Sequence, residues 1–243
     1  MQQQKKNESL SFLIKSRSVK RNSVKLSDLT GYSVIFNTES IYHFFLNSSY
    51  REYVRRCKHI FIDGAALTLI ANMFSLNIER YHGPDLLEDL EKEGLLSSAV
   101  LVGGKSANKK LVEDNVLKLW IDLPFLENYQ DLAKTAFDKI DKTENMPIVL
   151  ISLGLPKQEM VALSMGKELD LSETLFIPLG AAIDFRTGTA TRSSKSWRRL
   201  GLEWLPRLIR EPRMFRRNIN SLIGITFFLL HLLQKKFFNF DLK

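Results

Sequence analysis

An α/β fold is predicted by three features of this 243-residue sequence. Short apolar runs rich in Val, Ile, Leu and Phe recur along the chain, stretches of helical character separate them, and polar or glycine residues follow the runs. Strands that are apolar on both faces and alternate with helices read as a mostly parallel sheet covered on both sides. The expected architecture is a Rossmann-like, mostly parallel sheet flanked by helices over 31–190. A polar N-terminal arm over 1–30 precedes it, and a basic amphipathic helical appendage over 191–243 follows.

The elements run as follows. "YSVIFN" (32–37) is the first strand, followed by a helical pattern to about position 50. "HIFID" (59–63) is the second, leading into the helix-like "GAALTLIANMF". "SAVLVGG" (98–104) is the third; after it Ser106 is placed to cap a helix carrying Leu111, Asn115 and Leu119 at helical spacing. "MPIVLISLG" (146–154) is the fourth, and Pro156 suits the first turn of the helix after it. "TLFIPLG" (174–180) is the last. The stretch 119–131 fits none of these patterns clearly.

Composition narrows the function classes. Apolar and charged fractions of 44% and 26% are those of an ordinary globular domain, which argues against wholesale disorder and against a multi-pass membrane protein. A single cysteine, Cys57, excludes an intramolecular disulfide and a cysteine-cluster metal site, and reads as a small buried hydrophobe. The N-terminus never reaches the apolar length of a signal peptide, so a cytoplasmic protein is expected. Net charge is +8, and its distribution is uneven: positions 186–243 hold 13 basic and 3 acidic residues, leaving 22 basic and 24 acidic before them. An anionic partner for the tail is implied.

In sheets of this type ligands gather at the carboxyl edge, where strands end and helices begin. Asn37 and Thr38, Asp63 and Gly64, Gly103 and Gly104, and the stretch from Gly154 to Gln158 all fall there. Asp63 follows an apolar strand and precedes a glycine. It is therefore a candidate general base, with helix capping as the alternative reading. Arg80 and Gln158 stand near loop-to-helix transitions and could hold a diphosphate together with backbone N–H groups, or simply be solvated surface. His43, His59, His82 and His231 have no ligand spacing, and no Asp-x-Asp occurs, so neither a metal nor another cofactor is expected. There is no GxSxG elbow and no P-loop.

On a helical wheel of residues 213–235, Arg213, Arg216, Arg217, Asn220, Gly224, His231, Gln234 and Lys235 fall in one band about 100° wide, interrupted mainly by Phe227, and the remaining face is Leu, Ile and Phe. Pro212 suits the start of such a helix. The strongly apolar part, 219–233, is short of the roughly 20 residues needed to span hydrocarbon. A helix lying in the interface of an anionic membrane fits better, with a core-packed C-terminal helix as the alternative. Nucleic acid is the poorer match, because aliphatic and aromatic bulk beside the arginines would be wasted on a phosphate backbone.

Seven stretches in order, "FNTE", "DGAAL", "RYHGPDL", "LVGG", "LGLPKQE", "GAAIDFRTG" and "LGLEWLPRLIREPRMFRR", resemble the WecG/TagA/CpsF glycosyltransferase family. The resemblance implies an inverting, metal-independent enzyme that transfers a sugar from a UDP-sugar donor to a polyprenyl-diphosphate-linked acceptor on the cytoplasmic face of the membrane. By motif, Asp63 would be the base and Asn37 would line the sugar site. Arg80 and Gln158 would hold donor or acceptor groups. Arg207 and Arg217 match arginines of a membrane-docking appendage that completes the active site, with Arg213 beside them. Thr38 could replace a hydroxyl lost where the family's usual Thr reads Ile35. Two further departures are Arg192-Ser193-Ser194 for Arg-Ala-Pro, and Met214 for a tail arginine. The family's range leaves UDP-N-acetylmannosamine, its uronic acid, UDP-glucose and UDP-glucuronate open as donors, and a homo-oligomer open as the assembly. A catalytically silent, membrane-recruited nucleotide-sugar-binding protein is the competing reading.

Overall fold

The computed structural model describes residues 8–124, 128–140, 147–189 and 214–238. Six strands, β1 (Gly31–Phe36), β2 (His59–Ile62), β3 (Val100–Gly103), β4 (Leu119–Ile121), β5 (Ile148–Ser152) and β6 (Leu175–Pro178), form one sheet in the order β2-β1-β6-β5-β3-β4. Every pairing is parallel, as the doubly apolar strands predict. The helices are α1 (Leu10–Arg17), α2 (Thr38–Leu46), α3 (Ser48–Arg56), α4 (Ala65–Met73), α5 (Gly83–Lys92), α6 (Lys109–Glu113), α7 (Tyr129–Asp138), α8 (Lys157–Met165), α9 (Ala182–Arg186) and α10 (Met214–Phe238).

Alternation along the strands divides the interior into two layers. Val34, Phe36, Ile60, Ile62, Val149 and Ile151 face the side covered by α2, α3, α7 and α8. Ile35, Phe61, Leu101, Leu150 and Ile177 face the side covered by α5 and α9. The helix after β1 and the helix after β6 therefore leave their adjacent strands toward opposite faces, which opens a crevice at the carboxyl edge between them.

Three local differences from the sequence reading have physical causes. The helical pattern after β1 divides in two, because Asn47 ends α2 in an extended conformation and its side chain accepts from Tyr50 N–H to start α3. The helix expected from Ser106 is a short 3-10 turn followed by α6, which stops before Asn115 turns to φ +58; Leu119 then begins β4 instead of closing a helical face. The N-terminal segment, expected as a polar arm, carries α1, whose Leu10, Leu13 and Ile14 are fully buried. Arg17 donates to the carbonyls of Arg55 and Cys57, and Arg21 holds Asp89 of α5 through two bonds of 2.7 Å.

The C-terminal helix α10 lies across α2 and reaches α1. Gly224 sits at the crossing, where a Cβ would collide with the Thr38 carbonyl oxygen and come within 3.0 Å of Tyr42 N. Phe228 and Leu232 are buried, and His231 Nε2 lies 3.3 Å from Ser11 Oγ of α1. The face turned to the protein thus contains Gly224 and His231 of the polar band. The face turned outward is largely apolar: Phe215, Ile219, Leu222, Ile223, Leu230, Leu233 and Phe237 are all exposed, Leu222 at 65% and Phe237 at 68%. At about 100° per residue these seven fall within roughly 100° of one another, with Thr226 the polar residue among them. No described helix is long and apolar enough to cross a membrane.

Candidate functional site

A cavity of about 460 Å³ opens at the carboxyl edge of the sheet, over the β1/β6 crevice. Its wall is built from the residues that follow five strands: Asn37 after β1, Asp63 after β2, Gly104 and Lys105 after β3, Leu153 to Leu155 after β5, and Leu179 to Ala182 after β6. Gln158 of α8, Asp184 of α9 and Arg217 of α10 complete it.

Each side chain is held by local structure. Asn37 caps α2: its Oδ1 accepts from Ser40 N–H at 3.0 Å, while Ser40 Oγ accepts from Asn37 N–H at 3.1 Å. That reciprocal bond fixes the side chain and leaves Nδ2 as its group for the cavity. Asp63 is half-buried, and its N–H donates to the Phe36 carbonyl at 2.8 Å, continuing the β1–β2 ladder by one residue. The N-cap position of α4 is Gly64 at φ +126, so Asp63 stands one residue before it at the strand end. Gly104 adopts φ +87, and a Cβ there would collide with Asn108 Nδ2; only glycine lets the backbone turn so closely at this wall.

Charge in the cavity is mixed. Glu39, nearly buried in the first turn of α2, accepts from Arg217 Nε at 2.8 Å. Lys105 pairs with Asp184 at 3.0 Å across the opposite rim. Two cations and three carboxylates therefore line one space, but these carboxylates do not form a metal-ligand cluster among the described residues. In the wall Gln158 is buried, and its Nε2 donates to Glu159 Oε1 at 2.9 Å. Glu159 is fully buried, and burial pushes its carboxyl up to about 8.

Of the residues singled out from sequence, Asn37, Asp63, Gly104, Gln158 and Arg217 meet at this cavity. Gly103 lies one residue below the wall with its carbonyl accepting from Trp120 Nε1, and the Thr38 backbone faces α10 at Gly224. Neither lines the space, and Ile35 occupies the wall without a hydroxyl from Thr38 beside it. Arg80 is also outside the wall; it precedes Tyr81, whose N–H bonds the Ile62 carbonyl at the end of β2. Arg207 and Arg213 lie outside the described residues, as do Arg192, Ser193 and Ser194.

The match between chain and family is long. The sequence model of the glycosyl transferase WecG/TagA/CpsF family matches residues 16–241. The chain belongs to that family. Its parallel sheet, its carboxyl-edge cavity and its C-terminal helix all fall within the matched span, and membership makes it a glycosyltransferase of a kind consistent with cell-surface polymer synthesis. Glu39, Lys105, Ser152, Glu159 and Asp184 were not singled out from the sequence. Three of them sit inside the quoted motifs "FNTE", "LGLPKQE" and "GAAIDFRTG", where a carboxylate near a helix start reads first as a partner of the helix dipole.

Proposed function

We propose that this family member is an inverting glycosyltransferase that moves a sugar from a UDP-sugar to a polyprenyl-diphosphate-linked acceptor in bacterial surface polysaccharide or wall polymer synthesis. The observation that carries the reading is the convergence of Asp63, Asn37, Gln158 and Arg217 on one cavity at the sheet's switch point. Asp63 takes the proton from the acceptor hydroxyl as that oxygen bonds to the anomeric carbon. The anomeric carbon–phosphate oxygen bond breaks on the opposite face, UDP leaves with the electron pair, and the configuration inverts. Arg217, Lys105 and backbone N–H groups supply positive potential for the charge that develops on the departing diphosphate. Arg80, next in sequence to the residue bonded to the end of β2, is assigned to the same donor or to the acceptor diphosphate, and Arg207 and Arg213 of the 191–243 appendage are assigned with it.

Membrane docking is part of the same proposal. The exposed apolar stripe of α10 and the basic excess of 186–243 fit an anionic lipid surface, and α10 also carries Arg217 to the cavity. A lipid-linked acceptor would thus arrive beside the helix that completes the site.

The test is UDP release from a panel of UDP-sugars with a short-chain polyprenyl-diphosphate-sugar acceptor, the product read by mass and anomeric configuration. Asp63→Asn is expected to lower turnover by about 10²–10⁴-fold. Equal turnover in parent and Asp63→Asn, or a product of retained configuration, would overturn the mechanism.

A further inference from the structure

Glu159 and Gln158 are adjacent in sequence, buried, and joined by one hydrogen bond of 2.9 Å from Gln158 Nε2 to Glu159 Oε1. The second oxygen of each, Gln158 Oε1 and Glu159 Oε2, is buried without a partner. An ionised carboxylate offers acceptors only, so it leaves both oxygens orphaned, which is costly in a desolvated setting. A neutral acid has one O–H to give, and the amide it already touches has one acceptor without a donor.

The surroundings favour the neutral form. Glu159 is faced by Glu39 from α2, by Tyr50 and Tyr53 from α3 and by Cys57 just after α3, and none of these is a cation. On α10, Arg217 pairs with Glu39. On the cavity side, Gln158 Oε1 lies 3.6 Å from where a Cβ on Gly180 would stand, so the amide plane forms part of the wall.

We infer that Glu159 acts as a neutral carboxylic acid that holds the Gln158 amide in a fixed plane at the cavity wall. It is a positioning residue: it touches no substrate and acts through Gln158. The role in catalysis rests on the reading of the cavity as a nucleotide-sugar site. Loss of the proton removes the second contact, places a charge beside Glu39 and loosens the amide. Donor binding therefore weakens as pH rises through the range where Glu159 titrates, about 8.

Glutamine at position 159 can accept from Gln158 Nε2 and donate back to Gln158 Oε1, so it copies the neutral acid and cannot titrate. The experiment compares the full-length parent, Glu159→Gln and Glu159→Leu. UDP binding is followed by calorimetry and donor KM and kcat by UDP release, each from pH 6 to 9.5. In the parent, donor KM is expected to rise about tenfold over that range with a smaller change in kcat. Glu159→Gln is expected to stay within about twofold of the parent at pH 6.5 and to lose the alkaline rise, whereas Glu159→Leu has the raised KM at every pH. If Glu159→Leu does not fold, the parent and Glu159→Gln still decide. A flat KM profile in the parent, or Glu159→Gln as impaired at pH 6.5 as the parent is at pH 9.5, overturns the inference. Failure of the parent to bind UDP at any pH would instead remove the nucleotide-sugar reading, an outcome separable from the first two.

Discussion

Glu39 and Arg217 form a 2.8 Å ion pair that joins the first turn of α2 to the first turn of α10 at the cavity wall. The partners differ in environment: Glu39 is nearly buried, while the Arg217 side chain is 49% exposed. An exposed pair contributes little, but removing the cation from a buried carboxylate leaves a charge without compensation. Arg217→Ala is therefore expected to lower kcat/KM by about 10²-fold through lost diphosphate stabilisation. Glu39→Gln, which keeps the cation but frees it from its anchor, should cost about tenfold. The two effects should be non-additive, with a coupling of about 0.5–3 kcal/mol in a double-mutant cycle on kcat/KM. Additive losses would show that Glu39 does not act through Arg217.

Gly224 sets the distance between α10 and α2. A side chain there meets the Thr38 carbonyl and Tyr42 N, both backbone atoms of a helix that cannot yield locally. Gly224→Ala is expected to destabilise by roughly 1–3 kcal/mol, and Gly224→Leu by more, because added volume in a closed contact forces backbone shifts. Thermal unfolding measures this. If α10 moves off α2 without unfolding the sheet, transfer should fall together with the melting temperature, since Arg217 leaves the cavity with the helix.

The outward stripe of α10 makes the opposite prediction, a change in binding with no change in fold. Leu222 and Leu230 touch solvent over about half or more of their surface, so charging them costs the fold little. Each leucine inserted in a lipid interface contributes up to about 1.5–3 kcal/mol. The double variant Leu222→Glu with Leu230→Glu should reduce co-sedimentation with anionic vesicles by at least about tenfold at an unchanged melting temperature. Turnover of a water-soluble acceptor analogue should persist while that of a long-chain lipid acceptor falls. Undiminished vesicle binding would leave the stripe with another occupant.

The parallel sheet was legible because five strands are continuous apolar runs, and their two-faced burial follows from that composition. The three-residue edge strand β4 was not: Leu119 falls in register with Leu111 and Asn115 on a helical wheel, and only the positive φ of Asn115 breaks that pattern. The wheel also separated the faces of α10 without revealing which one would turn inward. That depends on Gly224, the only position in the polar band small enough for backbone contact with α2, and on the pairing of Arg217 with a residue 178 positions away. Asp63, Asn37 and Gln158 could be placed from strand ends alone. Glu159 could not, because a glutamate beside a helix start carries no sign of being buried.

Glu159 also makes the stability of the fold depend on pH in a defined sense. Its carboxyl is raised from an ordinary 4.5 to about 8 by burial, chiefly, and by Glu39. Below about 4.5 both folded and unfolded chains hold the proton. Between about 4.5 and 8 only the folded chain holds it, so unfolding releases a proton and stability falls as pH rises. Above about 8 the contribution is gone. Its full span is on the order of a few kcal/mol, several degrees in melting temperature for a domain of this size. Glu159→Gln removes this one titration and leaves the others. The melting temperature of the parent minus that of Glu159→Gln should therefore decrease steadily from pH 5 to pH 8.5 in the absence of any substrate. A difference that is constant across that range, or that grows with pH, would mean that Glu159 is ionised in the folded protein.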